Sequence, residues 1–273
     1  QENAGPAAAR NCGARAARAN IIAFTDSDCL PEPNWIAELV GAFQYGAAGV
    51  GGTYGIANPE SLLARIIHEE IRLRHARLDG EVDFLGSFNV AFDREKFWDV
   101  GGFDEDFRAA SGEDNDLSYR LANRDCTLRF SNAAVVRHYH PERLGAYLRT
   151  QSRHGFWRMK LYAKHPGRAG GDQYASLLDL WSPGIAMFAC AFVAFALIVW
   201  PATLARIPVF VTALWAVALW TLVHVPKALA MRRAAQDGRM LLFVPMAMLR
   251  DLARAWGMAR GAWHFLVLRK TSS

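Results

Sequence analysis

Along the first 140 positions the spacing of apolar residues keeps changing between a helical and a strand-like period. The Ala-rich stretch GPAAARNCGARAARAN, 5–20, reads as a helix, and the apolar run in 20–25 reads as a buried strand. Pro33 and Asn34 then open a segment in which Ile36, Leu39, Val40 and Phe43 recur at helical spacing. GAAGVGGTY, 46–54, predicts a short strand ending in glycines; 60–78 predicts a charged amphipathic helix; a further strand is expected near 82–85. GEDNDLSYRLANRD, 112–125, makes another helix, and two short strands are expected at Thr127–Phe130 and Val135–Tyr139. Helices and strands alternating in this way predict an α/β sheet with helices on its faces.

The pattern changes after Pro183. Residues 183–205 and 207–226 carry no charged side chain except for Arg206 between them, and each run is long enough for the roughly 20 residues a helix needs to cross a bilayer. Neither shows the polar stripe of a soluble core helix, so both are expected to span a membrane. Arg153, Arg158, Lys160, Lys164 and Arg168 precede the first run, and Lys227, Arg232, Arg233 and Arg239 follow the second. The positive-inside bias puts both flanks in the cytoplasm, which predicts a multi-pass protein of the inner (plasma) membrane with its α/β domain on the cytoplasmic side. Aromatics and basics interleave in YLRTQSRHGFWRMKLY, within 141–182, and predict helices at the membrane surface. Residues 240–268 begin apolar but are interrupted by Pro245, Arg250, Asp251, Arg254 and Arg260, a pattern that predicts an interfacial amphipathic helix.

Composition adds two limits. With 273 residues, 52% of them hydrophobic and 21% charged, the chain can bury a domain core and keep apolar sequence in surplus. The net charge of +5 collects at the flanks of the apolar runs, so it points to membrane topology and acidic headgroups and not to nucleic acid. Cys12, Cys29, Cys126 and Cys190 show neither metal-ligand spacing nor a disulfide framework and are expected to be reduced thiols. The chain starts at Gln1 with no methionine and runs straight into a helix with no strand before it, as a fragment would.

Candidate chemistry gathers at three places. Asp26 and Asp28 fall where the strand 20–25 ends, the edge at which open α/β sheets bind ligands. Alternate residues of an extended segment project the same way, so two hard oxygen donors could hold Mg2+ or Mn2+ together with phosphate oxygens. The bland alternative is a strand-to-helix loop that favours Asp and Pro. In SGEDNDLSYRL, 111–121, Ser111 and Asp114 match a capping box, and helical spacing puts Asp114 with Leu117 and Leu121. Glu113 and Asp116 then share the other face with Arg120, which makes Asp116–Arg120 an ordinary surface pair and Asp114 an inward carboxylate that could act as a general base. His138 and His140 end the last strand, where His138 is a candidate third metal position beside ordinary hydrogen-bonded surface histidines.

Taken in order, AARNCGARAARANIIAFTDSD, GSFNVAFDREKFWDVGGFDEDF and GEDNDLSYRL resemble the family 2 glycosyltransferases of GT-A fold. The resemblance covers residues 7–140, and a membrane-embedded tail is common in that family. It implies a Rossmann-like domain, with its nucleotide-binding half incomplete, followed by a transmembrane hairpin and an interfacial helix. It also implies a D-x-D element, with Asp28 as the main metal ligand and Asp26 at the metal or donor ribose. Arg10 and Asn11 match positions near the nucleotide, and Gly86, Ser87 and Asn89 match the loop beside donor sugar and acceptor. Asp114 matches the catalytic base, with Glu113 beside it. The partners implied are a nucleotide-diphospho-sugar donor, a glycan or lipid-linked acceptor, and membrane lipids.

The pattern also departs from that family. The opening strand-helix-strand unit of the family has no counterpart after Gln1, and QSRHGFW, 151–157, lacks the Arg-Trp pair of processive members, which favours single-sugar transfer. The expected division is a partial GT-A domain at 1–140, juxtamembrane helices at 141–182, two spans at 183–226 and a basic amphipathic tail at 227–273. A phosphatase using Asp26 would want Thr or Val after the second aspartate, where Cys29 and Leu30 stand. A transporter would need more spans. A non-catalytic, membrane-anchored relative that only binds a sugar nucleotide stays open beside the enzyme.

Overall fold

In the computed structural model, residues 2–43, 46–168, 170, 177–199 and 206–267 are described, and they divide into two compact units. The first unit comprises 1–144 and 157–174, and the second 145–156 and 175–273.

In the first unit, helix α1 (Pro6–Ala16) starts with proline in its first turn, where the missing N–H costs nothing. It leads into β1 (Ile21–Thr25), then β2 (Cys29–Pro31), α2 (Trp35–Ala42), β3 (Gly49–Ile56) and α3 (Leu62–His75). After β4 (Gly80–Val82) come β5 (Asn89–Asp93), α4 (Arg94–Asp99), α5 (Glu113–Ala122) and β6 (Leu128–His138). The sheet order is β1-β5-β3-β6-β2, with β4 pairing β6; β3 and β6 run parallel and the other pairs are antiparallel. An aromatic core of Phe24, Phe92, Phe97 and Phe103 holds β1 and β5 to α4 and the chain after it.

Three expectations about this unit need correction. The two short strands at 127–130 and 135–139 are one strand, β6, which pairs with β3 on both sides of a register shift between Gly52 and Thr53. The side-chain amide of Asn89 donates to Thr53 O at 3.0 Å and Ala134 O at 2.9 Å there, so the carbonyls freed by the irregularity stay satisfied. Gly52 is required at that point, because a Cβ would collide with Ala134 O and the Asn89 amide. In α2 the buried residues are Trp35 and Leu39, whereas Ile36 and Val40 are 50% and 42% exposed. The helix is turned by the Trp35 indole, which donates to Asn89 Oδ1 at 2.7 Å. Finally, β2, β5 and α4 had no counterpart in the sequence reading; β5 is enclosed between β1 and β3 and its buried run Asn89–Phe92 carries no alternation.

Helix α6 (Leu144–Lys164) contributes to both units. Its residues 157–164 pack on the first unit: Leu161 is 1% exposed, and Lys160 Nζ lies 4.3 Å from the Phe107 ring centroid and 3.6 Å from Asp106 Oδ2. Aromatics and basics interleave there because the apolar stems pack on α5 and the 104–107 turn while the charges meet Asp104 and Asp106.

The second unit contains α7 (Leu177–Val199), α8 (Arg206–Ala235) and α9 (Phe243–Ala262), the last continued by a π-helical turn at Trp263–Val267. Asp179–Ile198 and Val209–Ala235, 20 and 27 residues, are long and apolar enough to cross a bilayer, and only 28% and 17% of their most apolar windows are buried. A soluble core helix would be mostly buried. Helix α8 continues past Pro226 to Ala235, beyond the end of the second uncharged run. The expected turn between the spans, 200–205, lies outside the described residues.

In α9 two of the interrupting residues turn inward. Arg250 and Asp251, which interrupt the apolar pattern, are 1% and 0% exposed, and Asp251 accepts from Ser182 Oγ at 2.9 Å, Trp220 Nε1 at 3.0 Å and His224 Nε2 at 2.8 Å. These bonds tie α9 to α7 and α8 and compensate the carboxylate for its lost hydration. The N-terminal part of α6 meets α9 through Gly155 and Gly257, where a Cβ on either would collide with backbone of the other helix. Arg254 Nε donates to Gln151 Oε1 at 2.8 Å beside that crossing.

Candidate active site

The end of β1 is a tight turn, not an extended strand: the Cys29 amide donates to Asp26 O at 3.1 Å. The two aspartates therefore do not project together, which corrects the alternate-residue expectation. Asp26 Oδ1 accepts from Arg10 Nη2 at 2.6 Å, while Asp28 Oδ2 lies 3.4 Å from His138 Nε2. The second contact follows from sheet register, because β2 pairs Cys29 with His138 and the Tyr139 amide donates to Asp28 O at 2.9 Å.

Around Asp28, the contacting atoms of Asp28, Cys29 and His138 all lie within 4.8 Å of one another. The hydrogen bond from His138 holds the Asp28 carboxyl below the usual carboxylate range. Burial, with the charge of Asp28 behind it, pushes the Cys29 thiol up to about 12, and its soft sulfur is a poor match for a hard cation such as Mg2+ or Mn2+. The donors here that suit a hard divalent cation are one carboxylate oxygen and one imidazole nitrogen; Asp26 is not part of the cluster. His138 Nδ1 lies 3.1 Å from His140 Nδ1, and burial lowers His140 to about 3. Tyr54 stacks on Phe88 at 3.6 Å between ring centroids and lies 4.9 Å from the His138 ring. Neither aromatic carries a sequence signal for this placement, since β3 and the 86–89 loop meet only in the folded sheet.

Around Asp26, Arg10 on α1 also donates to Glu113 Oε1 at 2.9 Å, and Glu113 Oε2 accepts from the Ser111 amide at 2.7 Å. The capping box expected of Ser111 and Asp114 is not formed: the N-cap is Gly112 at φ +94°, a left-handed conformation that glycine adopts without strain. Burial raises Glu113 to about 7, with the charge of Asp114 adding to it and Arg10 opposing it. Dense surroundings raise Asp114 as well, against the Asn115 amide and the charges of Arg10 and Arg158. Asp114 Oδ1 accepts from Asn115 N at 2.8 Å.

Helix α5 is covered on both faces: Leu117 and Leu121 are fully buried, as the spacing implied, and so is the face expected to be exposed. Glu113 and Asp116 are 2% and 0% exposed, whereas Asp114 is the half-buried carboxylate. Asp116 is no surface partner of Arg120: it takes Arg120 at 2.8 Å, Lys164 at 2.7 Å and His165 at 2.8 Å. The last two come from a helix end that no local pattern could have connected to it.

Two candidate ligand contacts have structural duties. Asn11 is 2% exposed and clamps Phe103 from both sides, donating to its O at 2.8 Å and accepting from its N at 2.9 Å. Gly102, at φ +67°, leaves no room for a Cβ beside that clamp. Asn89 is 0% exposed and wholly engaged by Trp35, Thr53 and Ala134, so neither asparagine is available to a ligand. Ser87 is buried too, and Gly86 sits where a Cβ would press on the Phe88 ring at 2.5 Å.

Residues 1–101 match the family described as Glycosyl transferase family 2. The mixed α/β core followed by two long apolar helices is the architecture that the resemblance implied. The chain is 30% identical over 204 residues to the pre-mycofactocin glycosyltransferase of Mycobacterium tuberculosis, covering 70% of this chain and 43% of that protein. It is 33% identical over 145 residues to validoxylamine A glucosyltransferase of Streptomyces hygroscopicus, covering 42% of this chain and 34% of that one. It thus spans less than half the length of these curated relatives. Among solved structures it is similar to a mannosyltransferase from Pyrobaculum calidifontis in complex with GDP-Man and Mn2+, at 18% identity and a TM-score of 0.49, covering 96% of this chain and 67% of that one.

Proposed function

We propose that the chain is the catalytic and membrane part of an inverting glycosyltransferase that moves a sugar from a nucleotide-diphospho-sugar to an acceptor hydroxyl. The observation that carries this reading is the bridging of Asp26 and Glu113 by Arg10. It fixes the acidic start of α5 beside the aspartate turn, so that a group able to take a proton and a group able to hold phosphate flank one place. A divalent cation, Mg2+ or Mn2+, held by Asp28 and His138 would supply positive charge opposite the diphosphate leaving group. Arg10 adds a fixed cation next to that turn.

Asp114 is the better proton acceptor of the two acids. Glu113 is fully engaged by Arg10 and the Ser111 amide, whereas Asp114 is half-buried and raised above the ordinary carboxylate range, which strengthens it as a base. Glu113 then positions Arg10 and α5. With Asp114 taking the acceptor proton as the hydroxyl attacks opposite the leaving diphosphate, one displacement inverts the anomeric centre and no covalent nucleophile is required.

The two apolar helices anchor this domain in a membrane. The Lys/Arg-rich flanks put the domain on the cytoplasmic side of a multi-pass inner-membrane protein, and the acceptor is a glycan or a lipid-linked glycan. The discriminating experiment uses the gene extended to full length and compares Asp114→Asn with the parent in nucleotide-sugar turnover, donor binding and thermal stability. A base predicts intact folding and donor binding with turnover down by about a hundredfold or more. Turnover within about tenfold of the parent would assign Asp114 a structural role and move the base to Glu113.

A further inference from the structure

In the second unit a cleft of about 400 Å3 opens at the end of α9, lined by Phe156, Trp256, Ala259, Arg260, Trp263 and His264. Two of its walls are indoles left 65% and 61% exposed, Trp256 and Trp263. Arg260 lies over the Phe156 ring at 5.8 Å and is exposed, and among the described residues no carboxylate pairs with it. Asp251, one acid of the same helix, is fully buried and occupied by Ser182, Trp220 and His224.

The surroundings of the cleft separate its ligand from a free anion. The same helix and the turn after it expose Leu249, Leu252, Leu266 and Val267 at 42%, 37%, 40% and 42%, which extends the apolar surface to either side of the cation. An inorganic anion would meet Arg260 and leave the indoles and these side chains in water. A membrane lipid satisfies both: indoles favour the level where headgroups meet acyl chains, and a guanidinium grips phosphate with paired donors. Charge complementarity and an exposed apolar surface thus select one occupant.

We propose that this cleft seats the phosphate headgroup of an anionic membrane lipid, held by Arg260 with Trp256 and Trp263 at the headgroup–acyl boundary. The proposal rests on the membrane-anchored reading above. It adds a defined lipid site, built by α6 and α9, to what two spanning helices require.

The test is native mass spectrometry of the full chain in detergent with phosphatidylglycerol or phosphatidylcholine of identical acyl chains. The parent is expected to retain phosphatidylglycerol about fivefold more than phosphatidylcholine, the scale of one cation at an anionic surface. Arg260→Gln should erase that preference by lowering phosphatidylglycerol retention more than phosphatidylcholine retention, Arg260→Lys should keep part of it, and Trp256→Ala with Trp263→Ala should weaken both lipids. Excess inorganic phosphate should displace neither lipid. No preference in the parent, an undiminished preference in Arg260→Gln, or displacement by phosphate would overturn the proposal. Carbonate extraction separates the two readings: a chain released from membranes refutes the anchor itself, whereas a retained chain with no preference refutes only the lipid site.

Discussion

Arg10 Nη1 lies 2.9 Å from Glu113 Oε1, although 103 residues separate them along the chain, and its Nη2 holds Asp26 at 2.6 Å. One guanidinium therefore joins α1, the aspartate turn and the start of α5. Its own pKa moves up, because the two carboxylates outweigh the burial that opposes its charge.

Arg10→Met should leave Glu113 buried without its cation. Stability is expected to fall by about 1–3 kcal/mol, and a double-mutant cycle with Glu113→Gln should show coupling of about 0.5–3 kcal/mol, read by chemical denaturation. Additive effects within about 0.3 kcal/mol would mean that the pair contributes nothing jointly.

Asp116→Ala should be among the most destabilising changes in α5. It removes a fully buried charge that Arg120, Lys164 and His165 all face, and breaking such a cluster costs about 3–5 kcal/mol. A surface pair would have cost a few tenths. Thermal unfolding of the full-length protein distinguishes the two without any activity assay.

Asp28→Asn and His138→Gln should each weaken cation-dependent donor binding, while Cys29→Ser should leave it nearly unchanged because a soft sulfur contributes little to binding Mg2+ or Mn2+. Isothermal titration of a nucleotide-sugar with and without Mn2+ reads this. A loss in Cys29→Ser equal to that in Asp28→Asn would show the thiolate to be a ligand.

His75 gives a pH dependence with a definite sign. Burial holds its imidazole down to about 3, with Arg74 and His68 adding to the shift. The unfolded chain, near 6.5, binds the proton more readily, so the contribution of His75 is complete above pH 6.5 and is lost as pH falls toward 3. Relative to His75→Gln, the parent should lose up to about 1.4 kcal/mol per pH unit between pH 6 and 4. Parallel stability curves for the two would contradict a buried neutral His75.

Gly257→Ala should disrupt the crossing of α6 and α9, since its Cβ would collide with the Ser152 carbonyl, whereas Gly184→Ala on α7 meets nothing within 4 Å. The first should lower the melting temperature by several degrees and the second should not, measured on the detergent-solubilised chain.

Much of this protein is legible in its sequence because the signals are local. Apolar period alone determined α1, β1, α3, α5 and the two long apolar helices, for a repeat of 3.6 or 2 states which face is buried before any partner is known. The order of short motifs was enough for the family, and the two aspartates and the acidic start of α5 were visible as candidate chemistry. Which carboxylate faces which partner was decided only by tertiary structure. Period could not show that α5 is covered on its Glu113 and Asp116 side, because Arg10, Lys164 and His165 that cover it lie 103, 48 and 49 positions away or more. For the same reason Asn11 and Asn89, polar residues in promising motifs, proved to be internal clamps: a buried backbone carbonyl or amide must be paired, and only the folded sheet reveals which side chain pairs it. The burial of Asp251 was equally hidden, since one helix shows a charge interrupting an apolar run, and it takes Ser182, Trp220 and His224 from two other helices to make that charge stable inside.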